Sequence, residues 1–155
     1  MSTIEKTAPL WFIDNLARIH VDGDDVDGHF GLVEAVGREG DMPPLHVHHS
    51  AEELFYVLEG EVTVFVAGAE PRTLGPGESA LGPRGIPHVY RVETPTARWL
   101  AAASPAGFEA FVREVSRPAE RDELPPQDGS TDPAVLAEVA ARYDIEILGP
   151  PGLLP

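Results

Sequence analysis

The segment GDMPPLHVHHSAEELFYVLEG occupies residues 40–60. His46 and His48 lie two apart, so on a strand both imidazoles point to one face. Glu53 follows at the head of LFYVL (54–58), an apolar run rich in strand formers. Gly40 and Gly60 bracket the segment where a strand pair must turn. Two imidazoles and a carboxylate aimed at one point make a site for a divalent metal. A fourth ligand candidate, His88, lies in GESALGPRGIPHVYRV (77–92). There Pro83, Gly85 and Pro87 mark a tight corner before another short strand.

Outward from this centre the chain reads as strands. Residues 1–9 form a loose arm, and LWFI (10–13) is a short edge strand. LARIHV (16–21) alternates apolar and polar residues, and HFGLVEAV (29–36) is the next strand. Between them DGDDVDG (22–28) is an acidic hairpin turn without the spacing or closing Glu of a calcium loop. After Gly60, EVTVFVAG alternates strictly, with Val62, Val64 and Val66 on one face and Thr63 and Phe65 on the other. PRTLGPGESAL (71–81), HVYRVET (88–94) and ARWLAAAS (97–104) complete a barrel-sized set. Strand signals about 8–12 residues apart are those of an all-β barrel or sandwich.

The period changes after residue 106. Phe108, Phe111, Val112 and Val115 form a helical stripe in FEAFVREV (108–115). Residues 116–131 are a Pro-rich polar connection. DPAVLAEVAARY (132–143) starts with Asp132 as N-cap and Pro133 at the first helical position, and its stripe is Val135, Leu136, Val139 and Tyr143. The expected organisation is a β-barrel over 1–115, the connection 116–131, and a helix and tail over 132–155 that pack on the barrel or on a second subunit. Leu54, Tyr56, Leu58 and Phe65 leave an apolar strand face that needs a cover, from the C-terminal helices or from a second copy of the chain, and a homodimer is expected.

The chain has 155 residues, no Cys and a net charge of −15. That acidity argues against nucleic acid and anionic membranes as partners. No apolar run approaches the ~18 residues of a membrane span. The first residues show no basic start followed by a long apolar run, so a cytoplasmic location is expected. Without Cys, any metal sits on His, carboxylate or water. His20 and His29 read as structural or surface residues, and strand alternation turns His49 away from His46 and His48. If Glu53 points inward, so do Phe55 and Val57, and His88 brings Tyr90 and Val92 with it. The result is a pocket with a metal at its floor and mostly apolar walls, suited to a flat or aliphatic organic molecule. Three neutral imidazoles and a carboxylate suit Fe, Ni, Mn, Co, Cu or Zn, one ion per chain. With a redox-active metal an enolate substrate could react with O2. With a Lewis-acid metal Glu53 could shuttle a proton in an isomerase, cyclase or lyase.

These residues carry a family resemblance. Gly40, His46, His48, Glu53 and Gly60 fill every position of the first cupin motif, G-x5-H-x-H-x4-E-x6-G. Gly77, Pro83, Gly85 and His88 fill the second, G-x5-P-x-G-x2-H-x3-N, whose last position holds Val92. That position is not one of the family's metal ligands. The resemblance implies a mainly β fold, an antiparallel jelly-roll barrel with a short C-terminal helical extension. It implies a metal held inside by His46, His48, Glu53 and His88. Within the cupins the chain resembles small quercetin 2,3-dioxygenase-like proteins. That likeness implies an oxidoreductase cleaving a flavonol-like ring with O2, with Glu53 as the base that takes the substrate's hydroxyl proton. Two alternatives stand beside it: a zinc-dependent cyclase or isomerase of aromatic polyketide-type metabolites, and a non-enzymatic small-molecule-binding cupin.

Overall fold

The structure is a computed structural model that describes residues 7–155, so residues 1–6 of the expected arm lie outside the described part. It is mainly β, built from two antiparallel sheets. The strands are β1 (Leu10–Phe12), β2 (Asn15–Val21), β3 (Gly31–Arg38), β4 (Pro44–His48), β5 (Glu52–Glu59) and β6 (Val62–Val66). They continue as β7 (Arg72–Leu74), β8 (Ser79–Gly82), β9 (His88–Val92), β10 (Thr96–Ser104), β11 (Arg117–Pro118) and β12 (Ile145–Pro151). One sheet runs β11-β1-β2-β3-β10-β5-β8, and the other runs β12-β4-β9-β6-β7. Two helices follow the barrel strands, α1 (Phe108–Val115) and α2 (Pro133–Ala141).

Alternation in the sequence becomes alternation in burial. Along β5, Glu53, Phe55 and Val57 are buried while Leu54 and Tyr56 face out. Phe55, Val57, Val62, Val64, Val92 and Trp99 form one core between the sheets. Each such side chain, fully buried, contributes ~1.5–3 kcal/mol of transfer free energy. Gly60 turns the chain from β5 into β6 at φ +75°, and a Cβ there would stand 2.5 Å from the Thr96 carbonyl oxygen. Only glycine fits.

The helices close the other end of the barrel. Phe111 and Val112 of α1 and Leu136, Val139 and Ala140 of α2 pack against Ala17, Ile19 and Val33. The Asp132 carboxylate accepts from Ala134 N at 2.9 Å and caps α2. The α2 stripe is shifted from the sequence expectation: Val135 is 54% exposed, whereas Ala140, four residues after Leu136, is buried. The Pro-rich connection is fastened to the first strands, with Trp11 Nε1 donating to Glu123 O at 2.8 Å and Arg38 to Pro125 O at 2.7 Å.

Two expectations need correction. The end of the chain is not only a helix and a tail, because residues 145–151 form β12 along β4. Ile145 and Ile147 alternate onto the helix-packed core, and the edge of β4 offers unpaired backbone groups to satisfy. Phe65 does not share the exposed face of Leu54 and Tyr56. It lies in the other sheet, buried with Leu45 and Val89 and with the Arg91 guanidinium 5.2 Å from its ring centroid. Leu81, at 51% exposure, takes its place beside Leu54, its register partner. The helices do not cover this face: Leu54 and Tyr56 are each 40% exposed.

Candidate metal centre

Three strands bring the ligand candidates together. His46 and His48 share one side of β4, and His88 stands opposite His46 in the β4–β9 register. Glu53 comes from β5 in the other sheet and reaches across the barrel. One ligand atom from each of His46, His48, Glu53 and His88 lies within 4.8 Å of all the others. His48, Glu53 and His88 are buried, and His46 is half-buried.

The polar contacts fit a cation. His46 Nδ1 donates to the Pro44 carbonyl at 2.8 Å, which leaves its Nε2 as a lone-pair donor. His48 Nε2 and His88 Nε2 stand 2.9 and 3.0 Å from the same Glu53 oxygen, Oε2. Yet His48 Nε2 has no hydrogen-bond partner of good geometry although it is buried. An unsatisfied buried nitrogen facing a carboxylate and two other imidazoles is what a divalent ion resolves. Burial, reinforced by the His88 and His48 rings, lowers the His46 pKa to about 3, so this imidazole is neutral at physiological pH. Burial alone would raise the Glu53 pKa, but the His48 and His88 imidazoles together hold it well below the usual carboxylate range.

One contributor has no side chain. A Cβ on Gly82 would stand 2.9 Å from Cε1 and Nδ1 of His88, so the bare backbone of β8 makes the slot for that ring. Gly82 pairs with Glu53 across the β5–β8 ladder. Its role was not legible in the sequence, because the second motif leaves that position free.

His46, His48 and Glu53 border a cavity of about 70 Å³, while His88 is fully buried and does not line it. Phe55 and Tyr90 line it, with Phe108 of α1 and Trp99. Val57 and Val92 do not. They point the same way as Phe55 and Tyr90 but lie deeper, packed with Val62, Val64 and Leu74 in the filled half of the barrel. The cavity adjoins an outer groove of about 690 Å³ that shares Asp14, Asp41, Met42 and Leu136 with it. His49 turns outward to Glu146 at 2.9 Å, and Glu52 turns outward to Arg84 at 3.3 Å. His20 pairs with Glu34 at 3.0 Å, and His29 is exposed. Sequence reading missed the Asn15, Asp41 and Tyr90 cluster. Tyr90 Oη donates to Asn15 Oδ1 at 3.1 Å, and Asn15 Nδ2 donates to Asp41 Oδ2 at 2.7 Å.

Residues 34–102 match the family described as Cupin domain. A quercetin 2,3-dioxygenase of Bacillus subtilis is 32% identical over 139 residues, 88% of this chain. The chain spans 40% of that relative's length. The polyketide cyclase RemF from Streptomyces resistomycificus is 28% identical with a TM-score of 0.55, covering 67% of this chain and 79% of RemF. Ectoine synthase from P. lautus superposes with a TM-score of 0.60 over 83% of this chain and 91% of its own, at 22% identity, and shows the fold alone.

Proposed function

The chain carries a cupin domain, and from that premise we propose that it is a metal-dependent oxidoreductase, a dioxygenase that cleaves a flavonol-like or other enolisable ring with O2. The observation that carries this reading is the convergence of three imidazoles and one carboxylate beside an apolar cavity, whose wall His46, His48 and Glu53 reach. The similarity to a quercetin 2,3-dioxygenase over 88% of the chain supports it. His46, His48, Glu53 and His88 would hold one divalent transition metal. When bound, such an ion supplies positive charge for an enolate oxygen and, if redox active, a partner for O2.

The chain's own groups do the rest. Glu53, ionised at neutral pH, accepts the proton of the substrate's enol hydroxyl on a carboxylate oxygen. His46 stays neutral and keeps its orientation through the Pro44 carbonyl. Phe55, Trp99 and Phe108 hold the ring and exclude water, which strengthens every electrostatic contact in the site. The cavity alone is below the ~300 Å³ lower end of small-molecule pockets, so the substrate also occupies the adjoining groove.

A zinc-dependent cyclase acting without O2 is the second reading. The 28% identity to the polyketide cyclase RemF favours it. In either case two chains associate through the face of Leu54, Tyr56 and Leu81. The deciding experiment is metal analysis of untagged protein purified without added metal, alongside His46→Ala, followed by oxygen uptake with a flavonol. Near-stoichiometric Fe, Ni, Mn, Co or Cu, lost in the variant and accompanied by uptake, is expected. Zinc without uptake favours the cyclase, and no metal in either protein refutes both enzymatic readings.

A further inference from the structure

Away from the ligand candidates, polar side chains meet the cavity in one other place, formed by Asp14, Asn15, Asp41 and Tyr90. Tyr90 lies two residues beyond His88 on the same side of β9, roughly 7 Å along the strand. It packs on Trp99 with ring centroids 4.9 Å apart. Its hydroxyl reaches Asn15 Oδ1 at 3.1 Å and Asp41 Oδ2 at 3.4 Å. Asn15 Nδ2 donates to the same Oδ2 at 2.7 Å. The Asn15 donor falls on Oδ2, the oxygen that the Tyr90 hydroxyl also approaches, and no donor among the described residues reaches Oδ1. A carboxylate has about four lone-pair sites, so acceptor capacity remains.

Position adds to this. Asp41 and Asp14 line both the inner cavity and the outer groove, so they stand at the neck between them. Among the described residues no Lys or Arg lines either space, and the groove adds Glu39 and Asp128. A molecule entering the cavity from the groove passes this neck, whose charged side chains are carboxylates. An apolar pocket with a few placed polar groups fixes its occupant's orientation through those groups.

We propose that Asp41, positioned by Asn15, is the second anchor of the substrate site. It accepts a hydrogen bond from a hydroxyl or protonated amine on the substrate and turns away molecules that carry an anionic group at that end. The anchor rests on the reading of this cavity as the substrate site. It narrows the substrate class to apolar-bodied molecules with a metal-binding oxygen at one end and a hydrogen-bond donor at the other. Burial and the neighbouring Asp14 charge raise the Asp41 pKa, although Asn15 and Tyr90 oppose this. A carboxylate short of compensation gains most from a cationic or hydroxylic partner.

The test uses benzylamine, benzyl alcohol and benzenesulfonate, three probes of one body and different charge. Each is titrated into the full chain as purified, and binding is read from the Trp99 indole N–H signal by NMR. Benzylamine is expected to bind at least tenfold more tightly than benzenesulfonate, with the alcohol between. Asp41→Asn is expected to bring the amine-to-sulfonate ratio to within about threefold. Tyr90→Phe, which keeps the carboxylate, is expected to retain the preference. Equal binding of amine and sulfonate by the wild type overturns the proposal. So does an unchanged ratio in Asp41→Asn, or its collapse in Tyr90→Phe. Oxygen uptake with a flavonol is measured on the same wild-type preparation. Amine preference without uptake removes the dioxygenase reading and leaves the anchor, while uptake without preference removes the anchor alone.

Discussion

Acidifying the metal-free protein from pH 7 to pH 5 is expected to destabilise it through His46. Burial, then the His88 and His48 rings, lower its pKa from the ordinary 6.5 to about 3. In the unfolded chain the imidazole returns to its ordinary value. Between those values the unfolded state binds the proton and the folded state does not, so stability falls as pH falls. At pH 5 the difference is 1.5 units, which at ~1.36 kcal/mol per unit gives ~2 kcal/mol. The ring keeps an exposed edge, and solvent screening trims the effect to ~1–2 kcal/mol. Glu53, also lowered, acts in the same direction but only below its unfolded value of 4.5. Asp41 is raised, so its contribution has the opposite sign and must be subtracted. Urea unfolding with EDTA at pH 7, 6 and 5, for the wild type and His46→Gln, performs that subtraction. The wild type should lose ~1–2 kcal/mol more than the variant between pH 7 and pH 5. Parallel curves would refute the picture of a buried neutral imidazole at this position.

Other perturbations act on neighbouring parts of the site. Gly82→Ala places a methyl group 2.9 Å from the fully buried His88 ring, and such overpacking costs ~1–3 kcal/mol with reduced metal content. A variant with unchanged melting temperature and metal occupancy would contradict it. Metal added to ~100 times its Kd should stabilise the wild type by ~2.7 kcal/mol in thermal melts and His46→Ala by much less. Equal stabilisation of both would place the ion elsewhere. Glu53→Gln should weaken metal binding at least tenfold, ~1.4 kcal/mol, and abolish oxygen uptake even at saturating metal. Uptake at the wild-type rate would remove Glu53 as the base. Leu54→Lys with Leu81→Glu should convert a dimer to a monomer in size-exclusion with light scattering, whereas a wild-type monomer at micromolar concentration removes that interface.

Much of this protein was readable one strand at a time. A period of two fixed which side of β4 carries His46 and His48 and which side of β5 carries Glu53, because alternate side chains on a strand share a face. The stripe in FEAFVREV gave α1 with its observed limits, Phe108–Val115. The same local logic put His49 outside, where it meets Glu146. It missed β12, because IEILGPP carries prolines and reads as a tail until β4 offers it an edge. It also assigned Phe65 to the patch of Leu54 and Tyr56, since alternation tells inside from outside but not which sheet a strand joins.

What the sequence by itself determined was therefore the ligand candidates, the mainly β architecture and the inward and outward faces of single strands. These depend on side-chain direction over a few residues and on motif spacing. Tertiary structure decided the rest. Phe55 and Tyr90 border the cavity, whereas Val57 and Val92, on the same faces, are core. Gly82 makes room for a ring six residues away, and Asn15, Asp41 and Tyr90 meet from three distant places in the chain. Depth, clearance and long-range hydrogen bonds depend on how the two sheets and two helices close on each other, and no local period encodes that closure.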